Sequence, residues 1–319
     1  LFRSMAERKT RSEILVIEQD VNPADGYAIY HGDCIEVTQG LPDESIGFTI
    51  FSPPFSSLYT FSNSDRDMGN SANYDQFNEH FKFLIGELYR ATKPGRLCSV
   101  HCMNLPTSKA RDGEIGILDF RGDIVRDFKL EGWIFHSEVC IWKNPVTAMQ
   151  RTKALGLLHK QLVKDSCMSR QGIPDYIVTF RKPGKNPEPV AGELDYFAGD
   201  KGTFQSMGRL SIDIWQRYAS PVWMDIDPSN TLQYTTARDE KDERHICLLQ
   251  LDAIERCVQL WSNPNDIVLT PFMGIGSEVY VALKTGRRAV GIELKNSYFR
   301  VARKNTLAAV AKVKESRLL

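Results

Sequence analysis

Short apolar runs alternate with amphipathic stretches along most of this chain, and no other feature limits its fold as strongly. Apolar runs bounded by turn residues predict strands and the amphipathic stretches predict helices, a pattern typical of an α/β fold. The predicted strands are 27–31, 47–51, 96–101, 133–142, 176–180, 267–269 and 289–292. The predicted helices are 74–92, 118–131, 211–218, 248–262, 278–285 and 297–312. A length of 319 residues suits one large α/β domain with an insertion, or two modest domains.

The distribution of charge excludes a uniformly cationic nucleic-acid binder. Forty Lys and Arg residues balance forty Asp and Glu residues, so a polyanion would have to meet a local patch. Residues 143–185 contain nine Lys and Arg against two Asp and Glu, a net charge of +7, whereas residues 188–255 contain six against thirteen, a net charge of −7. The basic run is either an ordinary solvated face or a phosphate-facing segment inserted into the fold.

Cysteine and histidine spacing gives no sign of a metal site. The seven cysteines lack paired Cys-x-x-Cys spacing, which disfavours a disulfide scaffold and structural zinc. Four histidines without partners at metal-ligand spacing are interpreted as structural: His31, His101, His136 and His159. Because the chain has no apolar run of eighteen residues and no signal-peptide pattern, we expect a cytoplasmic protein without a membrane segment.

Two prolines follow the predicted strand 47–51. Pro53 and Pro54 cannot continue a strand ladder, so they end the strand and stiffen its exit, where α/β folds place ligands. The Ser52 hydroxyl and the Pro53 carbonyl would then be two fixed acceptors, which suits an NH₂ group with its two donors. Phe55 would provide a flat face on which a base stacks. The alternative is an ordinary Pro-Pro turn with a surface serine.

A glycine turn follows the predicted strand 267–269. Gly274 and Gly276 would let backbone amides approach a ligand closely, although the third glycine of the dinucleotide fingerprint is missing, which disfavours an NAD site. Glu293 ends the next strand about twenty residues later, a spacing that fits a carboxylate binding ribose hydroxyls. A structural turn with a surface glutamate is the alternative. Asp33, after the strand 27–31, either caps the following helix or contacts a ligand.

Together these motifs resemble the amino-methyltransferases that act on DNA, of the permuted β type. In that family a Ser-, Asp- or Asn-Pro-Pro-Phe/Tyr motif comes first and Asp-Pro-Phe-x-Gly-x-Gly comes near the C-terminus; here they are 52–55 and 270–276, with Thr270 in place of Asp. Residues 243–247 resemble the motif beside the cofactor's methionine end, with Leu248 where a proline often follows. The resemblance covers roughly 27–302, and 56–70 with 143–162 are most similar to solitary phage or prophage enzymes.

The resemblance implies a Rossmann-like S-adenosylmethionine-dependent methyltransferase fold. Its sheet is expected to be mostly parallel with one antiparallel hairpin strand, in a circularly permuted motif order with an inserted target-recognition region. The expected divisions are an N-terminal tail (1–24, of which 1–4 are interpreted as a tag remnant), a catalytic half (25–142), a DNA-binding insert (143–240) and a cofactor-binding half (241–319).

The resemblance also assigns roles to individual residues. The catalytic motif would be Ser52, Pro53, Pro54 and Phe55. S-adenosylmethionine, which leaves as S-adenosylhomocysteine, would be bound by Asp33, His245, Phe272, Gly274, Gly276, Ser277 and Glu293, with no metal. Candidate DNA-binding residues in the basic run are Arg151, Lys153, Lys160, Lys164 and Arg170.

The implied activity is site-specific methylation of an exocyclic amine on a base flipped out of double-stranded DNA, with adenine N6 favoured over cytosine N4. Methylation of RNA or of a protein amide stays open, as does a DNA-binding module that has lost catalysis, of which Thr270 would be a symptom. Nothing in the chain resembles a nuclease, which suits a solitary (orphan) enzyme outside a restriction-modification pair. We expect location at the nucleoid and, by analogy with the family, a homodimer.

Overall fold

One nine-stranded mixed β-sheet organises the part of the chain that the computed structural model describes, which is residues 16–54, 74–107, 109, 113–152, 155–191, 216–233 and 249–316. Its strands are β1 (Val16–Asn22), β2 (Tyr27–Gly32), β3 (Ile46–Phe51), β4 (Thr92–Met103), β7 (Ile134–Ile141), β8 (Asp175–Arg181), β9 (Val222–Trp223), β10 (Ile267–Thr270) and β11 (Arg288–Glu293). A separate two-stranded ribbon consists of β5 (Leu105–Pro106) and β6 (Ile117–Leu118). The helices are α1 (Cys34–Gln39), α2 (Tyr74–Ala91), α3 (Phe120–Leu130), α4 (Pro145–Thr152), α5 (His159–Lys164), α6 (Leu251–Trp261), α7 (Ser277–Lys284) and α8 (Asn296–Ser316).

The strand order is β1-β2-β11-β10-β3-β4-β8-β7-β9. The five central neighbours from β2 to β4 are parallel, whereas β8 runs antiparallel to both β4 and β7. This arrangement confirms the predicted mostly parallel sheet with an antiparallel hairpin, which β7 and β8 form. A second antiparallel strand, β1, pairs with β2 at the sheet edge.

Three sheet strands lie in ranges that the sequence assigned elsewhere, one of them being β9, which lies within the expected insert and forms an edge of the sheet. β1 lies within 1–24, the expected tail, and its largely polar sequence hid it because most of its residues are solvent-exposed. β8 lies within 143–240, the expected insert, yet it occupies the middle of the sheet. The sequence predicts this strand at 176–180, but the basic residues around it placed it in the insert, although Ile177, Val178 and Phe180 are buried in the core. The part of the basic run that precedes β8 and lies outside the sheet is thus the shorter segment 143–174.

Helices cover both faces of the sheet. In α2 the residues Phe77, Phe81 and Leu88 recur at helical spacing and are buried, together with α1 and α3, against one face. The helices α6, α7 and α8 pack on the other face. All six residues of β3 are buried because Phe48 faces the second layer and Phe51 the first, so this strand is continuously apolar without alternation.

A buried ion pair holds the strands together at the edge where the parallel strands begin. Arg96 of β4 donates to Asp266, which directly precedes β10, and its Nε donates to the Gly47 carbonyl of β3 at 2.9 Å. A Cβ on Gly47 would lie 2.7 Å from Cγ of Asp266, so glycine is needed for this close approach. The pair fixes β4, β3 and β10 relative to one another, and thereby aligns their opposite ends.

Candidate active site

The carboxyl ends of β3 and β10 lie side by side. Phe48 pairs with Val268 and Thr49 with Leu269 across these parallel strands. From β10 the chain passes through α7 to β11 on one side, and from β3 through α2 to β4 on the other. Such a reversal of direction opens a crevice at the strand ends. The Ser-Pro-Pro segment and the glycine turn, far apart in sequence, both leave strands at this crevice.

The Ser52 hydroxyl is held by a histidine. The strand register pairs Phe51 with Val100, so the next residues, Ser52 and His101, lie beside each other. Oγ of Ser52 is 2.7 Å from Nδ1 of His101, and 3.5 Å from the His101 carbonyl oxygen. The ring nitrogen is therefore the stronger partner of the hydroxyl.

Close polar contacts continue from His101 to an acid and a lysine. Nε2 of His101 is 3.3 Å from Oδ2 of Asp175, the first residue of β8, and the other carboxylate oxygen accepts from Nζ of Lys143 at 2.5 Å. His101 and Asp175 are almost completely buried. Burial acts to raise the pKa of Asp175, but His101 and Lys143 outweigh it, so the pKa of Asp175 is lower than usual. Asp175 is thus a carboxylate at neutral pH.

The glycine turn and Glu293 form the other side of the crevice. The backbone N–H of Gly274 donates to Oε2 of Glu293 at 2.8 Å, and that of Lys295 donates to Oε1 at 2.7 Å. Both Gly274 and Gly276 have positive φ, at 55° and 91°. Phe272, in the same turn, lies 5.6 Å from the Phe51 ring. The carboxylate of Glu293 is therefore fixed at the end of β11 beside the turn.

Comparison with known proteins agrees with this geometry. The family model of the N6/N4 DNA methylases matches residues 46–304. The Type II methyltransferases M.BglII of Bacillus subtilis and M.BamHI of Bacillus amyloliquefaciens are 26% and 24% identical, over 86% and 84% of this chain and 67% and 54% of their own lengths. The chain thus spans between about half and two thirds of these relatives. The solved DNA modification methylase TTHA0409 of Thermus thermophilus, complexed with S-adenosyl-L-methionine, has a TM-score of 0.61 and 22% identity, covering 88% of this chain and 95% of that one.

This chain belongs to the N6/N4 DNA methylase family. Its fold is that of the S-adenosylmethionine-dependent DNA methyltransferases. No helix in the described ranges is long and apolar enough to cross a membrane.

The residues of this N6/N4 methylase fit S-adenosylmethionine at the crevice. A Cβ built on Gly274 meets no atom within 4 Å, so a ligand can approach the backbone there, whereas one on Gly276 would lie 3.3 Å from Ala302 of α8. Gly274 therefore leaves ligand space, and Gly276 allows α8 to pack. The fixed Glu293 carboxylate is an acceptor, as hydroxyl groups of a ribose require.

Other predicted cofactor residues have local roles in the methylase fold. Oδ1 of Asp33 accepts from the N–H groups of Ile35 and Glu36 at 2.9 and 3.0 Å, so Asp33 caps α1. Ser277, at the start of α7, is buried, and its hydroxyl has no hydrogen-bond partner in the described part of the chain. Their contacts with the cofactor stay predictions. Phe55 and His245 lie outside the described residues.

A buried acid follows the glycine turn. Burial, and to a smaller extent the charge of Glu293, raises the pKa of Glu278 to about 8. Glu278 therefore carries its proton at neutral pH, whereas the side chain of Glu293 accepts from the backbone N–H groups of Gly274 and Lys295.

The candidate DNA-binding residues differ in how freely they reach solvent. Lys160 and Lys164 are exposed, one helical turn apart on α5. Arg170 is half-buried, its N–H donates to the Gly156 carbonyl at 2.9 Å, and burial lowers its pKa. Arg151 belongs to α4, with its side chain undescribed, and Lys153 lies outside the described residues.

His101, interpreted from the sequence as a structural histidine, has its ring hydrogen-bonded to the hydroxyl of Ser52 in the Ser-Pro-Pro segment. Sequence reasoning also missed Asp175 and the role of Lys143. Spacing along the sequence could not reveal this cluster, because Ser52 follows β3, Lys143 follows β7 and Asp175 begins β8. The available signal was position: His101 ends one predicted strand and Asp175 precedes another. In the described ranges, no group of three or more His, Cys, Asp or Glu side chains is arranged to hold a metal ion.

Proposed function

We propose that this N6/N4 methylase transfers a methyl group from S-adenosylmethionine to N6 of a specific adenine in double-stranded DNA. One observation carries the proposal: the Ser52 hydroxyl is held by His101 at the end of β3, beside the glycine turn that ends β10. This arrangement offers acceptors for an NH₂ group next to the crevice suited to the cofactor.

The protein acts by positioning and by electrostatics. An exocyclic amine is a poor nucleophile because its lone pair is delocalised into the ring. Oγ of Ser52 and the Pro53 carbonyl accept the two N–H bonds of that amine and favour a pyramidal nitrogen with an available lone pair. S-adenosylmethionine supplies an electrophilic methyl group when bound. The Gly274 backbone and Glu293 would hold it in the crevice beside Ser52.

The target base has to leave the duplex to reach Ser52, because N6 of a paired adenine is hydrogen-bonded inside the stack. Phe55 is proposed to stack on the flipped base. The basic segment 143–174, with Lys160 and Lys164 exposed, is proposed to bind phosphates and read base edges.

Adenine N6 is favoured by the likeness of segments 56–70 and 143–162 to solitary phage enzymes. Cytosine N4 is the second candidate, favoured by Ser52 itself, since serine in this motif position is commoner among cytosine N4 enzymes. We further propose a permuted β-type, solitary enzyme that works as a homodimer on nucleoid DNA in the cytoplasm.

Parallel incubations with S-adenosylmethionine labelled in the methyl group test the activity. Duplex DNA, RNA and protein are the acceptors, and digestion of the labelled DNA to nucleosides identifies the modified base. We expect label in DNA alone, as N6-methyladenine. N4-methylcytosine would establish the second candidate, label only in RNA or protein would overturn the DNA activity, and tight DNA binding without any transfer would favour a DNA-binding module.

Ser52→Ala should lower the single-turnover rate of methyl transfer by about 100- to 1000-fold, since one acceptor of the reacting amine is lost. DNA affinity should change little, because the backbone contacts that dominate binding are elsewhere. Ser45→Ala is the matched control: Ser45 precedes the same strand at its other end and donates only to the Pro42 carbonyl, at 2.8 Å. Equal rates in the two variants would contradict the role of Ser52.

A further inference from the structure

We propose that His101 is a positioning residue, set by Asp175 and Lys143, that turns the Ser52 hydroxyl into a hydrogen-bond acceptor for the target amine and takes up its proton. The inference rests on the proposed function and deepens it, since it concerns how Ser52 becomes competent. It is argued from the four side chains that meet at the ends of β3, β4, β7 and β8.

The protonation states of His101 and Ser52 follow from the contacts of Asp175 with Lys143 and His101. Asp175 is a carboxylate and can only accept hydrogen bonds. One of its oxygens is taken by Lys143 at 2.5 Å, and the other faces Nε2 of His101 at 3.3 Å. A neutral imidazole therefore carries its proton on Nε2. Its Nδ1 has a lone pair, so Ser52 donates its O–H to Nδ1 across 2.7 Å.

The direction of that hydrogen bond decides what Ser52 offers to a base. With its proton committed to His101, Oγ has only lone pairs left, and these accept from an amine N–H. In the opposite tautomer Nδ1 would donate to Oγ, and the serine proton would either use the His101 carbonyl, a weak acceptor at 3.5 Å, or point toward the base and meet N–H donors. The Nε2–H tautomer is therefore the one in which Ser52 best complements an NH₂ group.

Ser52 and His101 also supply a path for the proton that the target amine loses when the methyl group is transferred. The amine nitrogen forms a bond to the methyl carbon as the carbon–sulfur bond breaks, with the electron pair left on sulfur. The nitrogen then loses one proton to Oγ of Ser52 while the hydroxyl proton moves to Nδ1 of His101. A methylated amine and an imidazolium facing Asp175 result, and the imidazolium later releases its proton to solvent.

The surroundings of His101 provide few competing charges. β3 carries no charged side chain, and on β8 the charged residue at this end is Asp175. Lys143 follows β7, and Glu138 within β7 is paired with Arg121 of α3 at 2.5 Å. On these elements Lys143 is thus paired with Asp175, and Glu138 with Arg121.

Asp175→Asn is the variant that inverts the tautomer. Lys143 still requires an acceptor, so it holds the amide oxygen and leaves the amide NH₂ facing Nε2 of His101. Nε2 must then accept, and Nδ1 carries the proton. Removing the lysine in Lys143→Met/Asp175→Asn lets the amide rotate so that its oxygen again faces His101. Lys143→Met alone is the matched control, since the carboxylate of Asp175 remains.

Single-turnover transfer at saturating DNA and cofactor should fall about 100-fold or more in Asp175→Asn, because the reacting amine loses its acceptor. The double variant should recover at least about tenfold of this loss, and Lys143→Met alone should lose less than about tenfold. A residue that merely supports the fold would instead give additive losses.

Nitrogen-15 NMR of the histidine rings tests the tautomer without relying on activity. The His101 signals, identified by their loss in His101→Asn, should show a protonated Nε2 in the wild type and a protonated Nδ1 in Asp175→Asn. A wild-type Nδ1–H form, or transfer within about threefold of wild type in folded Asp175→Asn, would overturn the inference. Wild-type protein that has the expected tautomer but never methylates DNA would instead defeat the proposed function and leave the serine's orientation established.

Discussion

Gly274 and Gly276 both have left-handed backbone, but their surroundings give them different tasks. A side chain on Gly274 would enter open space at the crevice, whereas a side chain on Gly276 would press on Ala302 of α8. The space at the first glycine is therefore open to a ligand, and the second glycine is needed by the packing of α7 on α8. Both positions are glycine in the sequence motif, and only the structure shows that their surroundings differ.

The two alanine variants should differ accordingly. Gly274→Ala, at a φ of 55°, should cost about 1 to 2 kcal/mol of stability and weaken S-adenosylmethionine binding at least about tenfold. Gly276→Ala, at a φ of 91° and in contact with α8, should lower Tm more and affect the affinity of the folded protein less. Calorimetric titration and thermal unfolding measure both quantities. Wild-type affinity in Gly274→Ala would mean that no ligand approaches this backbone.

The short helices of the basic segment are where target recognition can be tested. Lys160 and Lys164 share one face of α5 and are exposed, so both can reach phosphates. Replacing both by Ala should weaken duplex binding, and the slope of log affinity against log salt should fall by about 2. Fluorescence anisotropy at several salt concentrations measures it. Lys129→Ala is the control. Lys129 lies in the last turn of α3, just before the start of β7, whereas the basic segment follows the other end of β7. An equal effect of that variant would argue against α5 as a contact.

Elements with strong apolar patterns were predictable, and polar or short ones were not. All seven predicted strands are present, with bounds shifted by up to four residues, because buried strands such as β3 are continuously apolar. The helix predicted at 211–218 is described only from residue 216. The helices α1, α4 and α5 and the edge strand β1 were missed, since six to eight residues, many exposed, carry little periodic signal.

The Ser-Pro-Pro segment and the glycine turn were predictable because each lies on a few consecutive residues. The contact between Ser52 and His101 was not, because it depends on the register of β3 against β4. Asp175 reaches them only through β8, an antiparallel strand whose position in the sheet no local pattern indicates. Contacts between side chains from different strand ends are therefore the part of this site that is hardest to predict from the sequence.

Folding stability should depend on pH through Glu278. Its pKa of about 8 lies above the ordinary 4.5, so between these values the folded protein holds a proton that the unfolded chain releases. The free energy of unfolding contributed by this group is complete below pH 4.5 and declines as pH rises toward 8, by up to about 1.4 kcal/mol per pH unit. Glu278→Gln should remove this decline and be the more stable protein at pH 8. Denaturant unfolding at pH 6, 7 and 8 measures it, and parallel pH curves for the two proteins would contradict the buried proton.

The ion pair between Lys143 and Asp175 ties together the two ends of the segment 143–174. The segment leaves the sheet after β7 and returns to it at β8. Its two ends are therefore held together by a hydrogen bond between Lys143 and Asp175. Because both ends of this loop are fixed, the sequence between them can change while the sheet stays intact. The segment proposed to read the target sequence can therefore be exchanged between enzymes, and Lys143 and Asp175 mark the junctions for engineered chimeras.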